Sequence, residues 1–371
     1  MNEEKKTNKG LMAFLITFAI IGVISVMGLA FYGLRTVVKN STGKALNASV
    51  KSDTVEVSLD DIIAEENNDI KEGNVDKAEE SVDADSIDVL DDLKEDEANG
   101  ALKDAKMPKN VENSVVGHGD LKIVFLGDSI IDNVRDNTGV CSILANELNA
   151  TVYNLGADEC SASIPRDATL GDTPKGKVSK IVSGAAIAEV MAGLYSDNNI
   201  MDCTAKTVLK KNLNDIKNAD IYIIEYGLYD FMAGRDNCNY DYLEDPTTYE
   251  GGLRHIVRSI RSFNPDANIM LCEPSYAYYN RPNGDWIGDT YSLDNGLGTL
   301  FDYAGKTDYV ATDMECSIFK LEFQGVGPQN LDDTLIDGVH MTEAGRRLYA
   351  ESLAATFIRQ GILDENKQMV R

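Results

Sequence analysis

The sequence predicts an α/β domain in which helices cover both faces of a parallel β-sheet. Two observations indicate this fold class. Short apolar segments alternate with longer amphipathic segments through the C-terminal two-thirds of the chain, which is the pattern of successive βαβ units. The clearest of the short segments are apolar on both faces, as expected for strands of a sheet that is buried on both sides.

The short apolar segments are predicted as strands, and the segments with helical spacing of apolar residues are predicted as helices. The predicted strands are 121–126, 151–155, 220–225, 268–272 and 309–312. The predicted helices are 141–148, 181–194, 207–216, 249–263 and about 342–359. Thr342 is a suitable N-cap for the last helix, and Asn264-Pro265 ends the helix before it.

Four polar motifs fall at one edge of the predicted sheet. Residues 127–129, 156–161 and 226–230 follow the first three strands, and residues 337–340 directly precede the last helix. In a parallel α/β sheet the ligand crevice lies beyond the carboxyl ends of the strands. We therefore expect the four motifs to line one site.

Ser129, Asp337 and His340 have the residue types of a nucleophilic hydrolase. A serine hydroxyl is a poor nucleophile unless a base removes its proton, and that base needs an orienting carboxylate. The spacing of Asp337 and His340 lets a short turn hold the carboxylate against one ring nitrogen while the other faces Ser129. We expect Ser129 Oγ to lie within hydrogen-bonding range of His340.

The segments 123–130 (IVFLGDSI) and 337–345 (DGVHMTEAG) resemble the first and last blocks of the SGNH (GDSL) hydrolases. The resemblance covers the region from Leu121 to about Gly361. It implies a three-layer αβα sandwich with a five-stranded parallel sheet of the flavodoxin-like type. It also implies that Ser129 is the nucleophile, that His340 is the general base and then the acid, and that Asp337 orients the imidazole.

The two middle blocks depart from the family pattern. The second block resembles N-x-G-x-x-G, whose last glycine donates a backbone N–H to the oxyanion, but Glu159 occupies that position here. The third block is normally G-x-N-D, and Tyr229 replaces its asparagine donor. A carboxylate that faced the developing oxyanion would oppose the reaction, so we expect Glu159 to point its side chain to solvent or to a basic partner such as Arg166. Losing one oxyanion donor typically costs about 10²–10³ in rate.

Three interpretations of the altered oxyanion site stay open. Tyr229 substitutes for the missing donor, or the Ser129 N–H and another donor support a slower reaction, or the protein binds its ligand without turnover. The preferred function is an extracytoplasmic serine esterase or acylhydrolase that removes O-acyl groups from a glycan or a small ester. The alternatives are an O-acyltransferase that uses the same triad and a non-catalytic binding protein. The possible substrate contacts are Asp128, Asp230, Tyr276 and Trp286.

Residues 11–34 form a run of 24 residues without a charge, which is long enough to span a membrane as a helix. Basic residues flank both ends of this run, so the positive-inside rule does not decide its orientation in the membrane. One alternative is an uncleaved signal anchor, with residues 1–10 in the cytoplasm and the hydrolase domain outside a bacterial cell membrane. The other is a cleaved signal peptide ending near residues 28–30.

Residues 35–117 are predicted as a disordered acidic tether, followed by the hydrolase domain at 118–363 and a polar tail at 364–371. Between residues 53 and 97 there are 19 Asp or Glu and three Lys, and no aromatic residue occurs between Gly33 and Val124. Such a segment buries too little apolar surface to offset the entropy that ordering would cost.

The bulk composition excludes several other classes of protein. A formal net charge of −26 argues against a nucleic-acid partner, which would require a basic face. With three histidines, and six cysteines at spacings typical of no zinc motif, we predict neither a metal site nor a cofactor. Six cysteines in an exported domain allow disulfides, but their pairing and the oligomeric state do not follow from the sequence.

Overall fold

A mostly parallel β-sheet forms the centre of the protein in a computed structural model that describes residues 111–168, 181–281 and 283–370. The described sheet has six strands in the spatial order β1-β3-β2-β4-β5-β8. These strands are β1 (Val115–Val116), β2 (Leu121–Gly127), β3 (Ala150–Gly156), β4 (Ile221–Glu225), β5 (Asn268–Cys272) and β8 (Ser317–Phe319). The strands β6 (Tyr278–Asn280) and β7 (Trp286–Asp289) form a separate antiparallel hairpin.

The inner strands are buried as the sequence predicted. Every residue of β4 is buried, and β2 is buried from Ile123 to its end. β2 pairs in parallel with β3 on one side and with β4 on the other. β2 therefore lies at the point where the strand order reverses, and the carboxyl ends around such a point are where α/β sheets bind ligands.

Nine α-helices accompany the described strands. They are α1 (Ser129–Asp132), α2 (Val140–Leu148), α3 (Gly184–Ala192), α4 (Thr204–Lys217), α5 (Leu228–Met232), α6 (Tyr249–Phe263), α7 (Leu300–Asp313), α8 (Leu331–Thr334) and α9 (Glu343–Arg359). α2 connects β2 to β3 in one direction across the sheet, whereas α4, α6 and α7 precede successive strands in the other direction. Right-handed crossovers place these two groups on opposite faces, which gives the three-layer αβα sandwich.

The predicted strand at residues 309–312 is wrong, because this segment forms the last turn of α7. Thr299 and Asp302 form a capping box at the start of α7. Its buried residues recur at helical spacing, and they are Leu300, Tyr303, Ala304, Thr307, Val310 and Ala311. The cap and this periodicity outweigh the local strand preference of 309–312. The fifth parallel strand is β8 instead.

The folded domain extends beyond both predicted boundaries. Residues 111–116, assigned to the tether, form a 3₁₀ turn and β1, which pairs with β3. Residues 364–370, assigned to the tail, turn back on the domain. Met369 forms an antiparallel β-bridge with Leu363. The Lys367 ammonium donates a hydrogen bond to the carbonyl of Glu147.

Residues 1–110 lie outside the described residues, and so do the predicted span 11–34 and most of the tether. No helix in the described ranges has both the length and the apolar character needed to cross a membrane. All six cysteines fall within the described ranges, and each is a free thiol.

We expect Gly252→Ala to destabilise the protein, because α6 packs against the loop after β3 at this position. A Cβ at Gly252 would lie 2.7 Å from the carbonyl carbon and oxygen of Ala162, where only backbone movement could relieve the overlap. The expected loss is about 1–3 kcal/mol of unfolding free energy in chemical denaturation. The matched control is Gly305→Ala in α7, where no atom lies within 4 Å of the added Cβ. There we expect a gain of about 0.5–1 kcal/mol from helix propensity.

Candidate active site

Ser129 is held in a tight turn between β2 and α1. Asp128 is the N-cap of α1, and its Oδ1 accepts a hydrogen bond from the backbone N–H of Ile130 at 2.9 Å. Ser129 is the first residue of α1, and no hydrogen bond of the described residues uses its backbone N–H as a donor. Its hydroxyl and this free N–H therefore emerge together at the carboxyl end of the central strand.

Asp337 and His340 meet in the loop before α9. Oδ2 of Asp337 lies 2.7 Å from Nδ1 of His340, and Oδ1 accepts the backbone N–H groups of Val339 and His340 at 3.0 and 2.7 Å. His340 is buried, whereas the Asp337 side chain is 48% exposed. No hydrogen bond joins Ser129 to His340 among the described residues, and the expected contact between them stays a prediction. Such bonds are often long without substrate.

The negative charges around His340 outweigh its burial. Burial by itself lowers the pKa of the imidazole, but the hydrogen bond to Asp337 and the charges of Asp337, Asp128 and Asp158 together raise that pKa above its ordinary 6.5. For Asp337, burial raises the pKa of the carboxyl, but the hydrogen bond to His340 and the charge of His340 bring it below the ordinary value.

A buried arginine ties α1 to the loop after β3, and sequence analysis missed it. Arg135 donates to Oδ1 of Asp132 at 2.9 and 2.7 Å from two guanidinium nitrogens. It also donates to the carbonyl oxygens of Asn154 at 3.2 Å and Gly156 at 2.7 Å, and to the Ser114 hydroxyl at 2.7 Å. The signal in the sequence was the spacing of Asp132 and Arg135, two opposite charges three positions apart shortly after Ser129.

The loop after β3 contains one backbone N–H for which the described residues show no hydrogen bond, at the position that differs from the family. The N–H groups of Gly156, Ala157 and Asp158 donate to Asn154 Oδ1, the Gly127 carbonyl and Asp132 Oδ2 respectively. No hydrogen bond of the described residues uses the N–H of Glu159.

Glu159, which stands where the family has a glycine, has a left-handed backbone conformation. Its φ is +53°, in the left-handed region that glycine adopts most readily. Its side chain is exposed, in keeping with the expectation that it faces solvent. Arg166, the predicted alternative partner, is paired with Asp236 instead.

Tyr229 lies in the short helix α5, directly after β4, and is half-buried. The next residue, Asp230, is fully buried and accepts the N–H of Ala162 at 2.7 Å and both the N–H and hydroxyl of Ser163 at 3.1 and 2.7 Å. Asp230 therefore fixes α5 to the segment after the β3 loop. Its carboxylate is 0% exposed, so this structure gives no support to the predicted substrate contact.

Two other predicted substrate contacts are also structural. Asp128 is 1% exposed and faces the core, where burial raises the pKa of its carboxyl to about 7. Tyr276 is likewise buried, and its hydroxyl donates to Asp289 at 3.0 Å. Both side chains hold loops in place and present no surface to a ligand.

Trp286 remains accessible, as predicted for a substrate contact. It is 54% exposed, and its ring stacks on that of Tyr278 with centroids 5.6 Å apart and an interplanar angle of 13°. The hairpin that carries both rings is bonded to the catalytic loop, because Tyr278 N–H donates to the Gly338 carbonyl at 2.9 Å. Gly338 has a φ of +91°, and a Cβ there would lie 2.2 Å from the Tyr278 carbonyl oxygen.

No group of three or more His, Cys, Asp or Glu side chains in the described ranges is arranged to hold a metal ion. His255, which the sequence placed on an amphipathic helix, pairs with Glu189 at 2.9 Å through Nδ1. This second His–carboxylate pair joins α3 to α6, and it provides an internal reference for measurements of the His340 pKa.

We expect Asp337→Asn to lower the pKa of His340. The amide removes both the hydrogen bond to a carboxylate and the negative charge that raise this pKa, while the burial that lowers it stays. NMR titration of the imidazole protons measures the effect, since the chain has three histidines. His255 should be unchanged in this variant and should shift downward in Glu189→Gln, because Glu189 raises its pKa. An unchanged His340 pKa in Asp337→Asn would contradict the pairing.

Comparison with known proteins places this site in a family. Similar folds include a protein from Lactobacillus plantarum, with 18% identity and a TM-score of 0.45 over 66% of this chain and 100% of that chain. A possible lipase from Chitinophaga pinensis has 18% identity and a TM-score of 0.43 over 66% and 100%. The carbohydrate acetylesterase Est24 from Sinorhizobium meliloti has 12% identity and a TM-score of 0.39 over 65% and 100%.

No curated protein matches the sequence. A sequence model described as GDSL-like Lipase/Acylhydrolase matches residues 123–353, which is more than half of the chain. The turn that carries Ser129 and the loop that carries Asp337 and His340 both lie within the matched residues. The chain therefore belongs to the GDSL-like lipase/acylhydrolase family of ester-bond hydrolases.

Proposed function

We propose that the protein is a serine esterase in which Ser129 attacks the ester, His340 transfers the proton and Asp337 orients His340. The observation that carries this proposal is the 2.7 Å hydrogen bond between Asp337 and His340, in a loop whose histidine senses the charge of Asp128, the neighbour of Ser129. Since a carboxylate can only accept, Nδ1 must carry a proton, and in the neutral imidazole Nε2 is then the acceptor. This tautomer is the one that a general base requires.

The reaction then proceeds by acyl transfer. Ser129 Oγ forms a bond to the acyl carbon as its proton moves to Nε2 of His340, and the resulting imidazolium is stabilised by Asp337. Collapse of the tetrahedral intermediate expels the alcohol, which takes the proton from His340. Water next attacks the acyl-serine, with His340 again as base, and releases the acid and free Ser129.

Two backbone donors support stabilisation of the oxyanion. Among the described residues, no hydrogen bond uses the N–H of Ser129 or of Glu159, whereas the N–H groups of Gly156, Ala157 and Asp158 are occupied. Unused donors that stay fixed need no reorganisation when negative charge develops. Replacing glycine by Glu159 keeps this N–H, so we propose that the altered second block is functional. We propose the Tyr229 hydroxyl as the third donor, in place of the family's asparagine amide.

We propose an O-acylated glycan or a small ester as the substrate. The exposed Trp286 ring, stacked on the half-buried Tyr278, supports a glycan, because aromatic faces bind the apolar faces of sugar rings. The hairpin that carries both rings is bonded directly to the loop of Asp337. We also propose that the enzyme acts outside a membrane. That placement rests on the uncharged run at residues 11–34 and on the acidic segment that follows it.

We expect the purified protein to hydrolyse members of a p-nitrophenyl acetate-to-octanoate series and Ser129→Ala to lose this activity. Removing the nucleophile should lower kcat by at least about 10⁴-fold, because the remaining groups supply no alternative covalent route. The matched control is Ser262→Ala, near the C-terminal end of α6. The Ser262 hydroxyl donates a hydrogen bond to the Ser259 carbonyl. It should keep wild-type turnover.

The same assay separates the alternatives. An acyltransferase would pass the acyl group to an added alcohol or glycan in preference to water, which product analysis detects. A binding protein would show turnover no higher than that of Ser129→Ala. That result would overturn the proposed esterase.

We expect Tyr229→Phe to lower kcat by about 10²-fold with little change in KM, since an oxyanion bond forms mainly in the transition state. Tyr242→Phe, on an exposed ring, should have no effect. Glu159→Gly should leave kcat equal or higher, because the N–H is retained and the left-handed conformation becomes unstrained. A strong rise in kcat for Tyr229→Asn would instead identify Tyr229 as a defect.

A further inference from the structure

Two carboxyl groups are buried next to each other beneath the turn of Ser129. Glu225 ends β4 and is paired in register with Gly127, the residue before Asp128. Glu225 is 0% exposed and Asp128 is 1% exposed. Neither carboxyl oxygen of Glu225, nor Oδ2 of Asp128, receives a hydrogen bond from an N–H or a hydroxyl of the described residues. These buried oxygens are unsatisfied unless the two carboxyl groups bond to each other.

The surroundings do not neutralise two negative charges. The titratable groups that face the pair are Cys160, Tyr226, Asp230, Tyr249, Cys272, His340 and Tyr349. None of these is a lysine or an arginine, and His340 is already paired with Asp337. Two adjacent buried carboxylates without a cationic partner are strongly unfavourable, so one of them must hold a proton.

Glu225 is the group that holds it. Burial, the negative charge of Asp128 and the side-chain hydrogen bond to Asp128 raise the pKa of Glu225 well above its ordinary value, and the nearby backbone N–H of Asp128 lowers it by less. Asp128 differs, because the N–H of Ile130 and the hydrogen bond from Glu225 favour its ionised form against burial. A protonated carboxyl beside a carboxylate forms a short, charge-assisted O–H···O⁻ bond.

We propose that Glu225 is a positioning residue whose carboxyl O–H donates a hydrogen bond to Oδ2 of Asp128 and thereby holds the turn that carries Ser129. With Oδ1 bonded to Ile130, this second bond fixes the Asp128 carboxylate at both oxygens. Glu225 touches no substrate and acts through Asp128. The inference rests on the proposed role of Ser129 and His340.

The pair of Glu225 and Asp128 also affects the pKa of His340. The negative charge of Asp128 raises the pKa of His340, and the hydrogen bond from Glu225 lowers the pKa of Asp128 and so favours its ionised form. Without that donor, the pKa of Asp128 rises further, a smaller fraction of Asp128 is ionised near pH 7, and the pKa of His340 falls. A residue that only fills space at position 225 would have no such effect.

The test compares Glu225→Gln with Glu225→Met in the full chain. Glutamine keeps a donor of the same shape, so kcat should stay within about 3-fold of wild type. Methionine has similar size but no donor, and losing a hydrogen bond to a charged group should lower kcat by about 10- to 100-fold with KM little changed. Leu271→Met, a volume-conserving change of a buried residue on the neighbouring strand β5, should leave kcat unchanged.

Two readouts do not depend on turnover. NMR titration should show a lower His340 pKa in Glu225→Met and an unchanged one in Glu225→Gln. The infrared band of a buried protonated carboxyl should disappear in both variants. Equal kcat and equal His340 titration in the two variants would overturn the proposal. If the wild type shows no Ser129-dependent turnover but the His340 shift is present, the proposed function fails while the pairing of Glu225 with Asp128 stands.

Discussion

The buried ion pair of Arg135 and Asp132 is the interaction on which the arrangement of the site depends. Asp132 is one turn along the helix from Ser129, and Arg135 reaches from there to the carbonyl oxygens of Asn154 and Gly156. Asp132 in turn accepts the N–H of Asp158 through its second oxygen. Two loops from adjacent strands are thereby locked in one geometry. Because both charges are desolvated, removing either partner would leave the other buried without compensation.

A second consequence of burial is that acidic side chains close in space take different ionisation states. Asp337 is partly exposed and hydrogen-bonded to His340, and its pKa is lowered. Asp128 and Asp230 are buried, and their pKa values are raised, although backbone N–H groups offset part of the cost of burial. For Glu225, burial and the neighbouring Asp128 raise the pKa well above its ordinary value, although the backbone N–H of Asp128 offsets part of that rise. Environment, rather than residue type, therefore decides which acid can orient a base and which can donate a proton.

The departures from the family pattern are local exchanges that keep the backbone in place. Glu159 has a left-handed conformation, which is strained for a residue with a side chain. Its side chain faces solvent, and its N–H stays available. Around Tyr229 the backbone is fixed by the bonds of Asp230 to Ala162 and Ser163. Changes at these two positions therefore alter side chains on a scaffold that is otherwise unchanged.

The sequence by itself determined features that depend on short-range order. Continuous apolar runs identified four of the five parallel strands. Thr248 and Asn264-Pro265 bound a helix whose limits were predicted correctly. Asp337 and its partner His340 are only three positions apart in the chain. Only the tertiary structure decided that residues 309–312 end a helix, because the cap that starts it lies ten residues earlier. It also decided that Asp128, Asp230 and Tyr276 are internal, and that Arg135 and Glu225 support the site. Those roles depend on which groups meet across neighbouring strands and on how far each is removed from water, and neither property is encoded in local spacing.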